Sequence, residues 1–213
     1  MNYETDEEKV EAIKKWWKDN GPSVVAGVVL GLVAIYGWRY WVDYRNSVAG
    51  EASAAFEQLI TLASANGDAT TRSKAVAEQA KSLQDDYGST PYPALGALVA
   101  ARTLYEAGKI AEAKAELQSV IAAAPDPAFA RIAALRLARL QVAEGDLDGA
   151  TRTLAAHDGG TAFAGEFAAV RGDIALARGD TAAARKAYEE AIARGASLSQ
   201  IIRLALDNLP AAG

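Results

Sequence analysis

Side chains able to carry covalent or metal chemistry are sparse in this 213-residue chain. There is no cysteine, which excludes disulfides, thiolate catalysis and cysteine-ligated metals. His157 is the only histidine, so it has no second imidazole or thiol with which to hold a metal or activate a nucleophile. It reads as a partly buried structural residue. The acidic pairs Asp85-Asp86 and Glu189-Glu190 are sequence neighbours on helical stretches. Adjacent positions on a helix diverge, so neither pair can face itself as acid and base. The glycine-containing turns lack the spacing of a P-loop or of a dinucleotide fingerprint. No enzyme activity, cofactor, metal or small-molecule substrate is expected, and binding is the remaining route to function.

Charge narrows the partner. The formal net charge is −5, with both signs interspersed along the chain. No basic stripe offers a nucleic acid its electrostatic footprint, so nucleic-acid binding is not expected. Aromatic residues make up only 8% of the chain and alanine is abundant. That composition suits closely packed helices better than sheets.

The elements that position any binding surface repeat. Gly108, Gly145 and Gly179 each separate two helical patterns and lie 37 and 34 residues apart, periods typical of a helical repeat array. Seven residues before each glycine stand Ala101, Ala138 and Gly172, and five after stand Ala113, Ala150 and Ala184. Nine after come Leu117, Leu154 and Tyr188, and twelve after come Val120, His157 and Ala191. Small residues let paired helices approach, while bulky ones wedge between neighbours. The pattern resembles tetratricopeptide repeats, with Pro125 where the first unit should end and His157 a departure from the small residue expected there. Residues 51–86 are expected to stack beneath as a degenerate fourth pair, and Ser197–Leu209 to close the array as a cap helix.

The tetratricopeptide resemblance implies a concave groove lined by the first helix of each unit. In this register the partner groove includes Arg102, Tyr105, Leu135, Arg139, Asp173 and Leu176. The set is mixed and lacks the Lys and Asn cluster of a carboxylate clamp, so it does not resemble a receptor for acidic chaperone tails.

Ahead of the repeats lies Pro22–Trp41, PSVVAGVVLGLVAIYGWRYW. No charge falls between Asp19 and Arg39, leaving 19 uncharged residues. As an α-helix such a run covers roughly 28 Å, close to the thickness of a bilayer's hydrocarbon core. Trp16 and Trp17 precede it, and Trp38, Tyr40 and Trp41 close it, as aromatic belts do at membrane interfaces. The apolar run is longer than a signal-peptide core and is followed by Arg39, Asp43 and Arg45, so cleavage is not expected. A single membrane anchor in the lipid bilayer is expected. Gly27 and Gly31 form a GxxxG spacing, a candidate helix-packing face. Lys9, Lys14, Lys15 and Lys18 flank the span on one side against Arg39 and Arg45 on the other. The positive-inside rule then places the amino terminus in the cytoplasm.

Residues 5–20 read as a short amphipathic helix. Thr5-x-x-Glu8 has the form of a capping box, and Val10, Ile13 and Trp17 share one face. Asn20-Gly21 is expected to stop this helix and Pro22 to open the next. The fold class is therefore all-α: a short amphipathic helix (1–21), a transmembrane anchor (22–41) and an α-solenoid of tetratricopeptide-like helix pairs (42–213).

The run Glu11-Ala12-Ile13-Lys14-Lys15-Trp16-Trp17-Lys18-Asp19-Asn20-Gly21, with Gly27, Gly31 and Gly37-Trp38-Arg39-Tyr40-Trp41, closely resembles the YfgM family of ancillary SecYEG translocon subunits. The order of parts matches along the whole chain. The resemblance implies a single-pass protein of the bacterial inner membrane, its carboxyl-terminal domain periplasmic. It also implies association with the SecYEG translocon and the membrane-anchored periplasmic chaperone PpiD, and a role in passing emerging polypeptides to chaperones. The alternatives are a scaffold of another envelope complex, or a regulator of a cytoplasmic stress response acting through residues 1–20.

Overall fold

A computed structural model describes residues 6–210. Thr5, the capping-box residue of the first helix, lies outside them. Among the described residues there are nine α-helices and no strand. Residues up to Gly50 and residues from Glu51 onward form two separate compact units.

Helix α1 runs from Asp6 to Ser64 with Pro22 inside it. The stop expected at Asn20-Gly21 does not occur. Proline removes one N–H from the ladder and its ring crowds the Cβ of the residue before it. Here that residue is Gly21, which has no Cβ. The indole of Trp17 occupies the same side, only 3.3 Å from where a Cβ on Gly21 would stand. Asn20 donates its side-chain amide to the Trp16 carbonyl at 3.0 Å, within the helix instead of capping it.

Between Val24 and Trp41 the large apolar side chains of α1 are exposed. Among the described residues, one helix has the length and composition to cross a membrane. A core helix of a soluble domain would be mostly covered by protein, and this one is not. Trp38 and Trp41 lie 5.2 Å apart by ring centroid, and the Arg45 guanidinium sits 4.9 Å over the Trp41 ring. Aromatic rings and a cation thus mark one end of the apolar band. The protein is membrane-associated.

In the second unit, the last turns of α1 pack with α2 (Ala69–Tyr87) and α3 (Tyr92–Glu106) through Leu59, Val76, Ala80, Leu83 and Ala100. Asp68 caps α2, accepting from the Thr71 amide at 2.7 Å. Helix α3 begins within the Pro-rich stretch, since Pro93 sits in its first turn, where a missing N–H costs nothing. The pairs then follow: α3 on α4 (Ile110–Ala123), α5 (Pro127–Ala143) on α6 (Leu147–His157), and α7 (Ala164–Ala177) on α8 (Thr181–Ala193).

Each pair turns at the expected glycine. Gly108, Gly145 and Gly179 take φ of 76°, 82° and 80°, the left-handed region that L side chains resist. In the first turn Gly108 N–H donates to Tyr105 O and Lys109 N–H to Leu104 O, both at 2.9 Å. The same two bonds recur at Gly145 and at Gly179, so all three are Schellman motifs. Asp146 and Asp180 then cap the following helices through the amides of Gly149 and Ala183, each at 2.9 Å. One residue thus ends a helix pair's first member and the next begins its second.

The wedge positions are filled as the register requires. Ala113, Ala150 and Ala184 are fully buried, as are Leu117, Leu154 and Tyr188 within a few per cent. Leu117, Leu154 with Ala150, and Tyr188 with Ala184 belong to three successive clusters along the array. His157 is half-buried and is the last residue of α6, the shortest helix of the three pairs. Helix α9 (Ser199–Asp207) packs on α8, with Ile202 buried. Leu198, Ile201 and Leu204 point to solvent, so this closing helix is not polar on its outer side.

Candidate partner-binding groove and membrane helix

Helices α3 and α5 bring half of the expected groove residues together. A cleft of about 330 Å³ is lined by Ala101, Arg102, Tyr105, Leu117, Arg136, Arg139, Leu140 and Ala143. Arg102 and Tyr105 are one turn apart on α3, and Arg136 and Arg139 are one turn apart on α5, so each pair shares a face. Leu117 belongs to α4 and is buried; with Ala101 it forms the apolar floor. Tyr105 is half-exposed at 49% and offers its ring to the opening.

Leu135 does not line the groove. It is 4% exposed and packs with Ala138, Ala150, Leu154 and Phe167 in the core. The adjacent position on α5 turns outward instead, and that position is Arg136. Asp173 and Leu176 lie on α7, outside this cleft. Leu176 is exposed. Asp173 is half-buried and accepts from the Tyr188 hydroxyl at 2.9 Å.

Arg136, Leu140 and Ala143 are the groove residues that the repeat register alone did not supply. One signal was present in the sequence. Arg102 and Arg139 stand six residues before their respective glycines, so they occupy equivalent places in consecutive units. Arg136 is three residues before Arg139, hence on its face.

The cleft gathers three guanidinium groups, one of them paired. Arg102 pairs with Glu106 at 2.8 Å, and Glu106 also faces Arg72 at 3.9 Å. Arg136 donates to the Leu98 carbonyl at 3.1 Å. Among the described residues, neither Arg136 nor Arg139 has a carboxylate within ion-pair distance. Burial, then repulsion from Arg102 and Arg139, holds the Arg136 guanidinium below its ordinary basicity.

Farther along, burial raises the Asp173 carboxyl, offset in part by the Tyr188 hydroxyl and the charge of Arg139. Burial also works against the Glu166 charge, but hydrogen bonds from the Ser197 hydroxyl and amide prevail and lower its pKa. The Tyr188 phenol is pushed well above its usual range by burial and by the neighbouring Asp173.

A second cleft, of about 420 Å³, opens among α6, α7 and α8, with Asp158, Arg171, Arg178 and Asp180 on its walls. Its cations are already matched. Arg171 binds Asp158 and, at 3.2 Å, Glu190, and Arg178 reaches Asp148 at 2.7 Å.

On α1, Gly27 and Gly31 lie one turn apart. A Cβ at either would meet nothing within 4 Å. Their backbone is open to close approach by another helix.

Comparison with known proteins places these features in one family. A family model described as a tetratricopeptide repeat-like domain matches residues 14–211. The chain is 31% identical to the ancillary SecYEG translocon subunit of Escherichia coli (strain K12), over 97% of this chain and 98% of that protein. Identity is also 31% to the ancillary SecYEG translocon subunit of Haemophilus influenzae, over 98% of this chain and 100% of that protein. The Aggregatibacter actinomycetemcomitans protein of the same description is 31% identical, over 96% of this chain and 97% of its own length. No solved structure matches the chain. With membrane helix and repeats both inside matches that span nearly the full length, the chain belongs to the family of ancillary SecYEG translocon subunits, built on a tetratricopeptide repeat-like domain.

Proposed function

We propose that this protein is a non-enzymatic accessory of the Sec translocon in the bacterial inner membrane, linking emerging polypeptides to periplasmic chaperones, the membrane-anchored PpiD among them. The full-length identity to ancillary SecYEG translocon subunits carries this reading. Residues 1–21 form a cytoplasmic segment, 22–41 span the bilayer and 42–213 form the periplasmic binding domain. The lysines at 9, 14, 15 and 18 support that orientation. The cleft between α3 and α5 is the partner surface, and Gly27 with Gly31 is the face that packs on another membrane helix.

Anchoring supplies what an open groove lacks in affinity. A domain tethered beside the channel exit meets its ligand at a high effective concentration, so weak contacts suffice. Site-specific photocrosslinking tests the assignment of surfaces. A crosslinker at Tyr105 should capture nascent chain or chaperone, and one at Gly27 a membrane-embedded partner. Capture from Arg185 on α8 but never from Tyr105 would place the partner on another face.

A further inference from the structure

The cleft between α3 and α5 combines two features that select a ligand together. Its floor is apolar, and three guanidinium groups surround it. An acidic protein with a net charge of −5 has here gathered like charges around one small volume. Among the described residues, only Arg102 of the three has a carboxylate at ion-pair distance. The other cleft shows what a self-satisfied arrangement looks like, since Arg171 and Arg178 there are each bound to acidic side chains of the same domain.

Like charges gathered beside apolar surface repel each other, and an incoming anion offsets that repulsion by its opposite charge. Guanidinium is matched to carboxylate by its planar, two-pronged geometry. The anion must come with apolar substance, because Tyr105 and the half-buried Leu140 would otherwise stay wet. A free inorganic anion or a phosphodiester chain meets the first demand and not the second.

We propose that this cleft binds an extended polypeptide segment in which side-chain carboxylates alternate with apolar or aromatic residues. The carboxylates engage Arg136 and Arg139, and the apolar side chains lie on Tyr105 and Leu140. The proposal rests on the reading of the repeat domain as a polypeptide-binding module and names what that module selects. It goes beyond the mixed set of groove residues that the repeat register gives.

The test uses the full chain in detergent micelles and a fluorescent peptide with a repeated Phe-Glu-Leu-Glu core, followed by anisotropy. A second peptide carries Gln in place of each Glu. The acidic peptide is expected to bind and the Gln peptide to bind at least tenfold more weakly. Arg139→Gln, which among the described residues removes no internal hydrogen bond, should weaken the acidic peptide roughly tenfold, a loss of about 1.4 kcal/mol. Tyr105→Ala should weaken both peptides.

Added salt should weaken only the acidic peptide. A thermal melt by circular dichroism confirms that each variant is folded, and Arg178→Gln in the other cleft should bind as the parent does. Equal binding of the two peptides, or unchanged binding by Arg139→Gln, would overturn the proposal. So would an oligonucleotide or anionic-lipid micelle that displaces the peptide at lower concentration than the peptide itself. Translocon association is read separately by co-isolation, so failure here leaves that reading intact.

Discussion

The ring of Tyr188 lies so close over Gly172 that a Cβ at residue 172 would fall 2.4 Å from Tyr188 Cε1. The two residues are partners across the α7–α8 pair, where a bulky wedge needs a missing side chain opposite. Gly172→Ala forces either the ring or the helix to move, and overpacking of this kind costs about 1–3 kcal/mol. Urea unfolding should show that loss. Adding Tyr188→Leu should recover part of it, since the smaller side chain vacates the space. Independent, additive effects of the two changes would contradict the contact.

Asp173 should make stability depend on pH. Its carboxyl is raised above the ordinary 3.8, chiefly by burial, so the folded chain holds that proton more tightly than the unfolded one. Its contribution is therefore fullest below the ordinary value and is lost as pH rises through the folded value. Asp173→Asn is neutral at every pH and still offers Oδ1 to the Tyr188 hydroxyl. Its melting temperature should exceed the parent's at neutral pH, with the gap closing in acid. A gap independent of pH would show that the buried charge is not its source.

Gly145 and Gly27 should respond oppositely to alanine. At φ of 82° an L residue at 145 is strained by about 1–2 kcal/mol, and Gly145→Ala should lower the unfolding midpoint accordingly. Gly27 meets nothing within 4 Å of an added Cβ and is already helical. Gly27→Ala should raise the isolated protein's helicity and melting slightly, since alanine is the better helix former. Equal losses at both sites would remove the conformational argument.

Absence of cysteine makes the topology directly measurable. Lys9→Cys and Ser119→Cys each introduce a single exposed thiol. In spheroplasts a membrane-impermeant maleimide should label residue 119 and spare residue 9 until the membrane is opened. The reverse pattern would invert the orientation assigned from the flanking lysines.

Periodicity disclosed the parts of this molecule that depend on local chemistry. The turn glycines, the small residues opposite the wedges and the apolar run of the span follow from residue type and spacing. What depended on neighbours in space did not. Asn20-Gly21-Pro22 has the composition of a helix boundary, yet Gly21 leaves room for both the Pro22 ring and the Trp17 indole, so α1 continues. Leu135 and Arg136 are adjacent, about 100° apart around the helix, and the packing of α5 decides which faces the groove; the core took the leucine. The arginine cleft emerges only when α3 and α5 stand side by side, although equal register positions for Arg102 and Arg139 hinted at it. Ile201 and Leu204 lie outward on α9 because one nine-residue helix against α8 can cover only one of its faces.

Association with the translocon is the central claim, and co-isolation tests it most directly. Tagged full-length protein, expressed at its natural level and solubilised in a mild detergent, should enrich SecYEG subunits over a control in which an unrelated membrane span anchors the same tag. Recovery of SecYEG no greater than that control would contradict the account.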